Sequence, residues 1–403
     1  LPGFVAGRAR GGDPAGGRPF CGRGGAGGRH HPPDSEVQCI CRERGAMFEF
    51  LKASVYALII YPGIACILSL VLTRLCIGLL PRAGFVDMPD ARRVHRKPTP
   101  RGGGIAIIAA FFLTSVLYVE RHASAQMGGF VAGFALPAFV IVVCGLLDDR
   151  FSLASRTKLV IQILAGVLVW VVGARLKFIL SVELPDYLAL PLTVLWVVTI
   201  VNAFNLIDGM DGVAAGLGFL SAVCLGLWGG LQNSSAGLVA IAFILAGSCA
   251  GFLRYNFSPA SIFMGDTGSL TLGYILSFFV IKYCMYEPDM LLTMKTSPVL
   301  VSFSVLMVPC LDVIRVVLRR ARNKRSLFMP DKTHIHHKFL AMGFSPRRAL
   351  VTIQLMSACF CAFTIVAILY MNNTLVFVID VVVWTLLNLW FDHVINRKAK
   401  NGE

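Results

Sequence analysis

The chain has 403 residues, 56% hydrophobic and only 15% charged, with a mean hydropathy of +0.72. A soluble domain carries about 25% charged residues, so a soluble globular protein is excluded and a multi-span membrane protein is implied. The net charge of +15 does not indicate nucleic acid, because the basic residues sit in connections between apolar runs, as the positive-inside rule describes.

Residues 1–46 contain twelve glycines and seven arginines. They lack the apolar centre of a signal peptide, and such a composition predicts disorder. Met47 opens "MFEFLKASVYALIIYPG", which reads as a natural start, so 1–46 is expected to be an extension absent from the working protein. The division is then 1–46, a membrane-embedded domain over 47–396, and a cytoplasmic tail over 397–403. Apolar runs near 55–80, 103–120, 128–147, 158–174, 188–204, 213–231, 236–253, 268–284, 298–318, 349–371 and 374–393 meet the length of about 20 residues that spanning requires. The fold class is therefore all-α, a polytopic helical bundle of about 10–11 transmembrane helices. The twelve cysteines include no CxxC pair and mostly lie inside these runs, which predicts buried thiols.

Charge orients the bundle. Residues 82–101 hold six Lys/Arg, 148–158 three and 319–348 nine, whereas the alternate connections "QNSS" (232–235) and "MNN" (371–373) hold none. Basic connections face the cytoplasm, which puts the N-terminus outside. Five polar clusters fall on that cytoplasmic side: 87–104, 145–159, 202–212, 254–270 and 329–349. Their convergence predicts an active site there. Merely polar loops would explain the cations but not the paired acids.

Asp148 and Asp149 end one run, and their repulsion must be offset by basic loops or by a divalent metal; a capping role stays open. Asp266, in "MGDTGS", begins another run, where capping is again open. Asp208 and Asp211 are three apart, so a helical turn would place both on one side, and Gly209 and Gly212 would admit a close backbone or ligand. Lys97, Arg101 and the glycines 102–104 suit phosphate recognition, or ordinary membrane anchoring. His334, His336 and His337 lack further zinc ligands and suit donors to a phosphate or sugar. Ser345 and Pro346 fit an N-cap and first turn. Asp380, inside the last run, is expected to serve packing. Acids for Mg²⁺, cations for phosphate and a membrane interface point to phosphoryl transfer from a soluble donor to a lipid acceptor.

In that order, "HRKPTPRGGGI", "GLLDDR", "NAFNLIDGMDG", "FMGDTGSLTLG" and "DKTHIHHKF" resemble the motifs of the polyprenyl-phosphate N-acetylhexosamine-1-phosphate transferases over about 85–350. The resemblance implies transfer of a HexNAc-1-phosphate, GlcNAc first among them, from a UDP-sugar to polyprenyl (undecaprenyl) phosphate. UMP is released, Mg²⁺ is required with Mn²⁺ as a substitute, and the setting is a bacterial inner membrane. The branch that transfers phospho-MurNAc-pentapeptide typically ends in three consecutive histidines, whereas this chain has His-Ile-His-His. By resemblance, Asp266 is a metal ligand with Asn205 near it. Asp148, Asp149 and Asp208 are the catalytic acids. Asn256, Phe263 and Asp211 hold uridine, with Phe263 stacked on uracil. Lys97 and Thr99 border the phosphate channel, and His334, His336 and His337 contact the sugar phosphate. A homodimer is the oligomer to test. A secondary transporter is the rival class, but transporters favour acids at the midplane and internal repeats, whereas here the acid clusters lie at one face and no repeat is seen.

Overall fold

The computed structural model describes residues 58–87, 98–122, 125–179, 182–231, 236–285, 300, 303–304, 306–324 and 334–401. The predicted extension and Lys97 lie outside the described residues. Twelve helices are present among them: α1 (Leu58–Leu79), α2 (Gly104–His122), α3 (Ala125–Phe151), α4 (Ser155–Val171), α5 (Asp186–Ile207), α6 (Val213–Leu231), α7 (Ala236–Asn256), α8 (Gly265–Met285), α9 (Met307–Arg322), α10 (Ile335–Ala341), α11 (Pro346–Ala367) and α12 (Asn373–Asn401). Eight of the described helices are long and apolar enough to cross a bilayer: α1, α2, α5, α6, α7, α8, α11 and α12. The chain is a polytopic all-α membrane protein.

The predicted 298–318 span departs from expectation. Within it, a turn at Leu306 precedes α9, which carries Asp312, Arg315, Arg319, Arg320 and Arg322. A helix of 16 residues at 1.5 Å per residue is too short to span alone.

α8 is the axis of the bundle and packs against α2, α3, α5 and α6. Its crossing with α2 depends on small residues, since a Cβ on Gly104 would lie 2.1 Å from the Gly268 Cα. The "GGG" and "GDTG" stretches are thus partly a helix-crossing device, as close packing in membranes requires. Hydroxyls inside the bundle bond back to carbonyls of their own helix, as Thr73 does to Ser69, Ser248 to Ile244 and Thr193 to Ala189, because no water is available there. Asp380 is likewise a packing residue: its Oδ2 accepts from Thr364 Oγ1 at 2.9 Å. The outer helices show the opposite surface. On α12, Leu375, Val378, Val382, Leu386 and Leu389 are exposed at helical spacing, the mark of a lipid-facing stripe. No cysteine among the described residues is in a disulfide.

Two short antiparallel ribbons complete the fold: β1 (Val86–Asp87) with β2 (Thr99–Pro100), and β3 (Phe178–Ile179) with β4 (Val182–Glu183). The first matters for the site. From it the chain runs on to pair with the loop before α8: Phe263 N–H donates to Pro100 O, Gly103 N–H to Phe263 O and Gly104 N–H to Met264 O, at 2.8–2.9 Å.

Candidate functional site

The site begins where α3 ends and α8 starts. The first backbone N–H groups of any helix lack intrahelical partners, and here another helix supplies the acceptor. Asp149 takes Asp266 N–H on Oδ1 (2.8 Å), and Thr267 N–H (2.9 Å) and Thr267 Oγ1–H (2.6 Å) on Oδ2. Arg101 Nε forms an ion pair with Oδ1 at 2.8 Å. A carboxylate has about four acceptor positions, and Asp149 fills three of them with the first turn of α8. Gly265 makes the approach feasible: its φ is +75°, and a Cβ there would sit 2.7 Å from Asp149 Oδ2. Of the two readings left open for this residue, the geometry is that of a cap.

Asp266, so positioned, lies between two cations. Arg101 Nη2 is 2.7 Å from its Oδ1, and Lys158 Nζ is 2.9 Å from its Oδ2. Lys158 also reaches Asp148 Oδ2 at 2.9 Å, while Asp148 Oδ1 accepts Leu153 N–H at 2.7 Å. An unbroken ion-pair chain therefore runs Asp149–Arg101–Asp266–Lys158–Asp148, joining four segments. Arg101, from the segment before α2, and Lys158, from the first turn of α4, offset charge on the acid pair. Burial, with Asp266 alongside, pushes the Asp148 carboxyl up to about 6 despite Lys158. Asp208 is held well above the carboxylate range, by burial first and then by Asp266, with Arg101 opposing.

Asp208 and Asp211 do not share a helical face. α5 stops at Ile207 and residues 208–212 form a turn, yet Asp211 stays near enough to add to the upward push on Asp208. Asp211 Oδ2 accepts Ala260 N–H at 3.0 Å. Asn256, 2% exposed, ties the same loops together: its Nδ2 donates to Ile262 O (2.9 Å) and its Oδ1 accepts Gly212 N–H (3.1 Å). Asn205 Nδ2 donates to Ser269 Oγ at 3.1 Å on α8. Thr99 is buried in β2, and Phe263 is half-buried and pinned at both backbone groups.

The histidines come from the far end of the sequence. Ser345 caps α11 by accepting Arg348 N–H, with Pro346 in the first turn, as expected. α10 carries His336 and His337, with His334 at its N-cap. The His334 and His336 rings are parallel within 2° at 5.9 Å, and His337 lies 4.2 Å from His336. A Cβ at position 209 would fall 2.8 Å from His336 Nε2, so Gly209 admits this imidazole. Burial, then His337 and His334, pushes His336 down to about 3. Its Nδ1 has no partner among the described residues.

The structure thus unites all five polar clusters. Sequence reasoning did not assign a role to Lys158, Thr267 or Asp312. Lys158 was counted as a topology charge, and no spacing rule links position 158 to position 266.

The glycosyl transferase family 4 model matches residues 131–284. The chain is 35% identical over 321 residues to the probable undecaprenyl-phosphate N-acetylglucosaminyl 1-phosphate transferase of Bacillus subtilis, covering 77% of this chain and 86% of that one. It is 37% identical over 306 residues to the decaprenyl-phosphate N-acetylglucosaminephosphotransferase of Mycobacterium tuberculosis (69% and 74% covered). It is 32% identical over 293 residues to the undecaprenyl-phosphate alpha-N-acetylglucosaminyl 1-phosphate transferase of Escherichia coli (69% and 75%).

Proposed function

Because the chain belongs to the polyprenyl-phosphate N-acetylhexosamine-1-phosphate transferases of glycosyl transferase family 4, we propose that it transfers GlcNAc-1-phosphate from UDP-GlcNAc to a polyprenyl phosphate at the cytoplasmic face of a bacterial inner membrane. The observation that carries this reading is the ion-pair chain of Asp149, Arg101, Asp266, Lys158 and Asp148, set at the ends of apolar helices. Acids and cations gathered at helix ends are what a reaction between a lipid headgroup and a soluble nucleotide needs.

The donor set suits Mg²⁺. Asp148, Asp149, Asp208, Asp211 and Asp266 influence one another while Arg101 and Lys158 are the cations among them, so negative charge is in excess. Among the described residues no three His, Cys, Asp or Glu side chains are gathered to hold a metal unaided. Mg²⁺ usually takes one or two carboxylates and draws its remaining ligands from water and substrate phosphates. Asp266 would hold the ion, with Asn205 beside it. When bound, Mg²⁺ neutralises charge on the phosphates.

In the reaction an oxygen of the lipid phosphate attacks the sugar-bearing phosphorus, the bond from that phosphorus to the UMP oxygen breaks, and UMP leaves. No general base is required, because a phosphomonoester with a second pKa of about 6 is mostly dianionic at pH 7. Asp148 positions Lys158, and Asp149 fixes the first turn of α8 and with it Asp266. Arg101 and Lys158 reduce the repulsion between two approaching anions. Phe263 stacks on uracil, and Asn256 and Asp211 shape the loop around it. Release of labelled UMP from UDP-GlcNAc by the purified protein, dependent on polyprenyl phosphate and Mg²⁺, tests the proposal. UMP release without lipid, or uptake into vesicles without UMP release, would overturn it.

A further inference from the structure

Asp312 lies in none of the five motifs, yet it is among the most completely engaged buried acids in the structure. It sits in α9 and is 2% exposed. Its Oδ1 takes Arg315 Nη2 at 2.8 Å, and its Oδ2 takes His334 Nδ1 at 2.8 Å and Ile335 N–H at 3.3 Å. A carboxylate only accepts, so the hydrogen shared with His334 sits on Nδ1 and the character of Nε2 is set by this bond. The His334 ring is parallel to His336, and His336 lies against Gly209 in the 208–212 turn. A single carboxylate thus anchors a row of imidazoles that ends at the acid loop.

We propose that Asp312 is a positioning residue for the transfer reaction, holding His334 in one tautomer and one orientation toward the sugar phosphate. The inference rests on the function proposed above and on the family resemblance, which implies that the histidines contact that group. The physical logic is that of a carboxylate behind an imidazole ligand: it fixes the ring and raises its basicity, and its loss typically costs 10–100-fold. The bland alternative is that Asp312 only ties α9 to α10.

A double-mutant cycle separates the two. Wild type is assayed first for UMP release from UDP-GlcNAc with polyprenyl phosphate. Asp312→Asn is expected to lower kcat about 10–100-fold with a much smaller change in KM for UDP-GlcNAc. His334→Gln should lower kcat at least as far. The double variant should be no slower than His334→Gln alone, because a residue acting through another adds nothing once that other is gone. Asp312→Glu, which keeps the carboxylate, should restore part of the loss. Losses that multiply in the double variant, or Asp312→Asn at wild-type rate, overturn the inference. If Asp312→Asn does not accumulate in membranes, the cycle is run with Asp312→Glu, and multiplying losses overturn it equally. An inactive wild type overturns the functional reading itself, a different result from an active wild type with multiplying losses.

Discussion

Adjacent Asp148 and Asp149 have different physical lives. Asp149 is an acceptor at the start of another helix, so Asp149→Ala should leave three donors without an acceptor and take from Arg101 one of its two carboxylates. We expect a loss of about 1–3 kcal/mol, read as a lower melting temperature in detergent, with activity lost in proportion to unfolding. Asp266→Asn should abolish turnover while the protein still inserts, and should also lower the melting temperature, because Arg101 and Lys158 lose the carboxylate they share; near-normal activity at matched Mg²⁺ would refute its metal role. Asp148 is raised from 3.8 to about 6. A carboxyl whose folded pKa exceeds its unfolded value loses stability as pH rises from about 4 through about 6, and the cost is constant above that. Asp148→Asn should therefore melt higher than wild type at pH 7.5, by something of order 2 kcal/mol, and show no such gain at pH 4. Melts in the presence of a chelator isolate this effect from the ion. An equal gain at both pH values would refute the burial account.

At the scale of elements, the loops owe their order to helix ends. The 208–212 turn is held by Asn256 from α7 and by Ala260 beyond it, and Phe263 sits next in the same segment. Phe263→Ala is expected to raise the apparent KM for the UDP-sugar about tenfold and leave that for the lipid near its original value, a size set by the loss of one stacked base. Equal changes for both substrates would exclude stacking on uracil. The α2–α8 crossing makes a separate demand. Gly104→Ala forces a methyl onto the α8 backbone, which should cost about 1–3 kcal/mol and displace Asp266 with the helix that carries it. Lower stability together with lower kcat is the expected outcome, and a neutral substitution would refute close contact at this crossing.

For the whole molecule, periodicity and hydropathy located helices well. The runs at 188–204 and 213–231 form α5 and α6, and the basic connections lie at the ends that carry the acids. Facing is the remaining question at this scale. In a cysteine-free background, cysteines introduced at Met210 and Arg348 should resist an impermeant maleimide in intact cells and react in inverted vesicles. Reaction of one from each side would separate the acid loop from the histidine helix, against the contact at Gly209.

Local chemistry accounts for what was legible from sequence alone: helix type, the membrane class, the cap at Ser345, the set of polar loops and the family resemblance. Each depends on composition or on residues a few positions apart. The roles within the site depend on separations of 22 to 165 positions, as in His334–Asp312 and Asp266–Arg101. Sequence spacing says nothing about such pairs, because a carboxylate's job is decided by which donors the packed helices bring within about 3 Å of it. Only the tertiary structure could turn Asp149 into a cap, set Asp208 and Asp211 in a turn instead of on a helix face and bring Lys158 and Asp312 to the site.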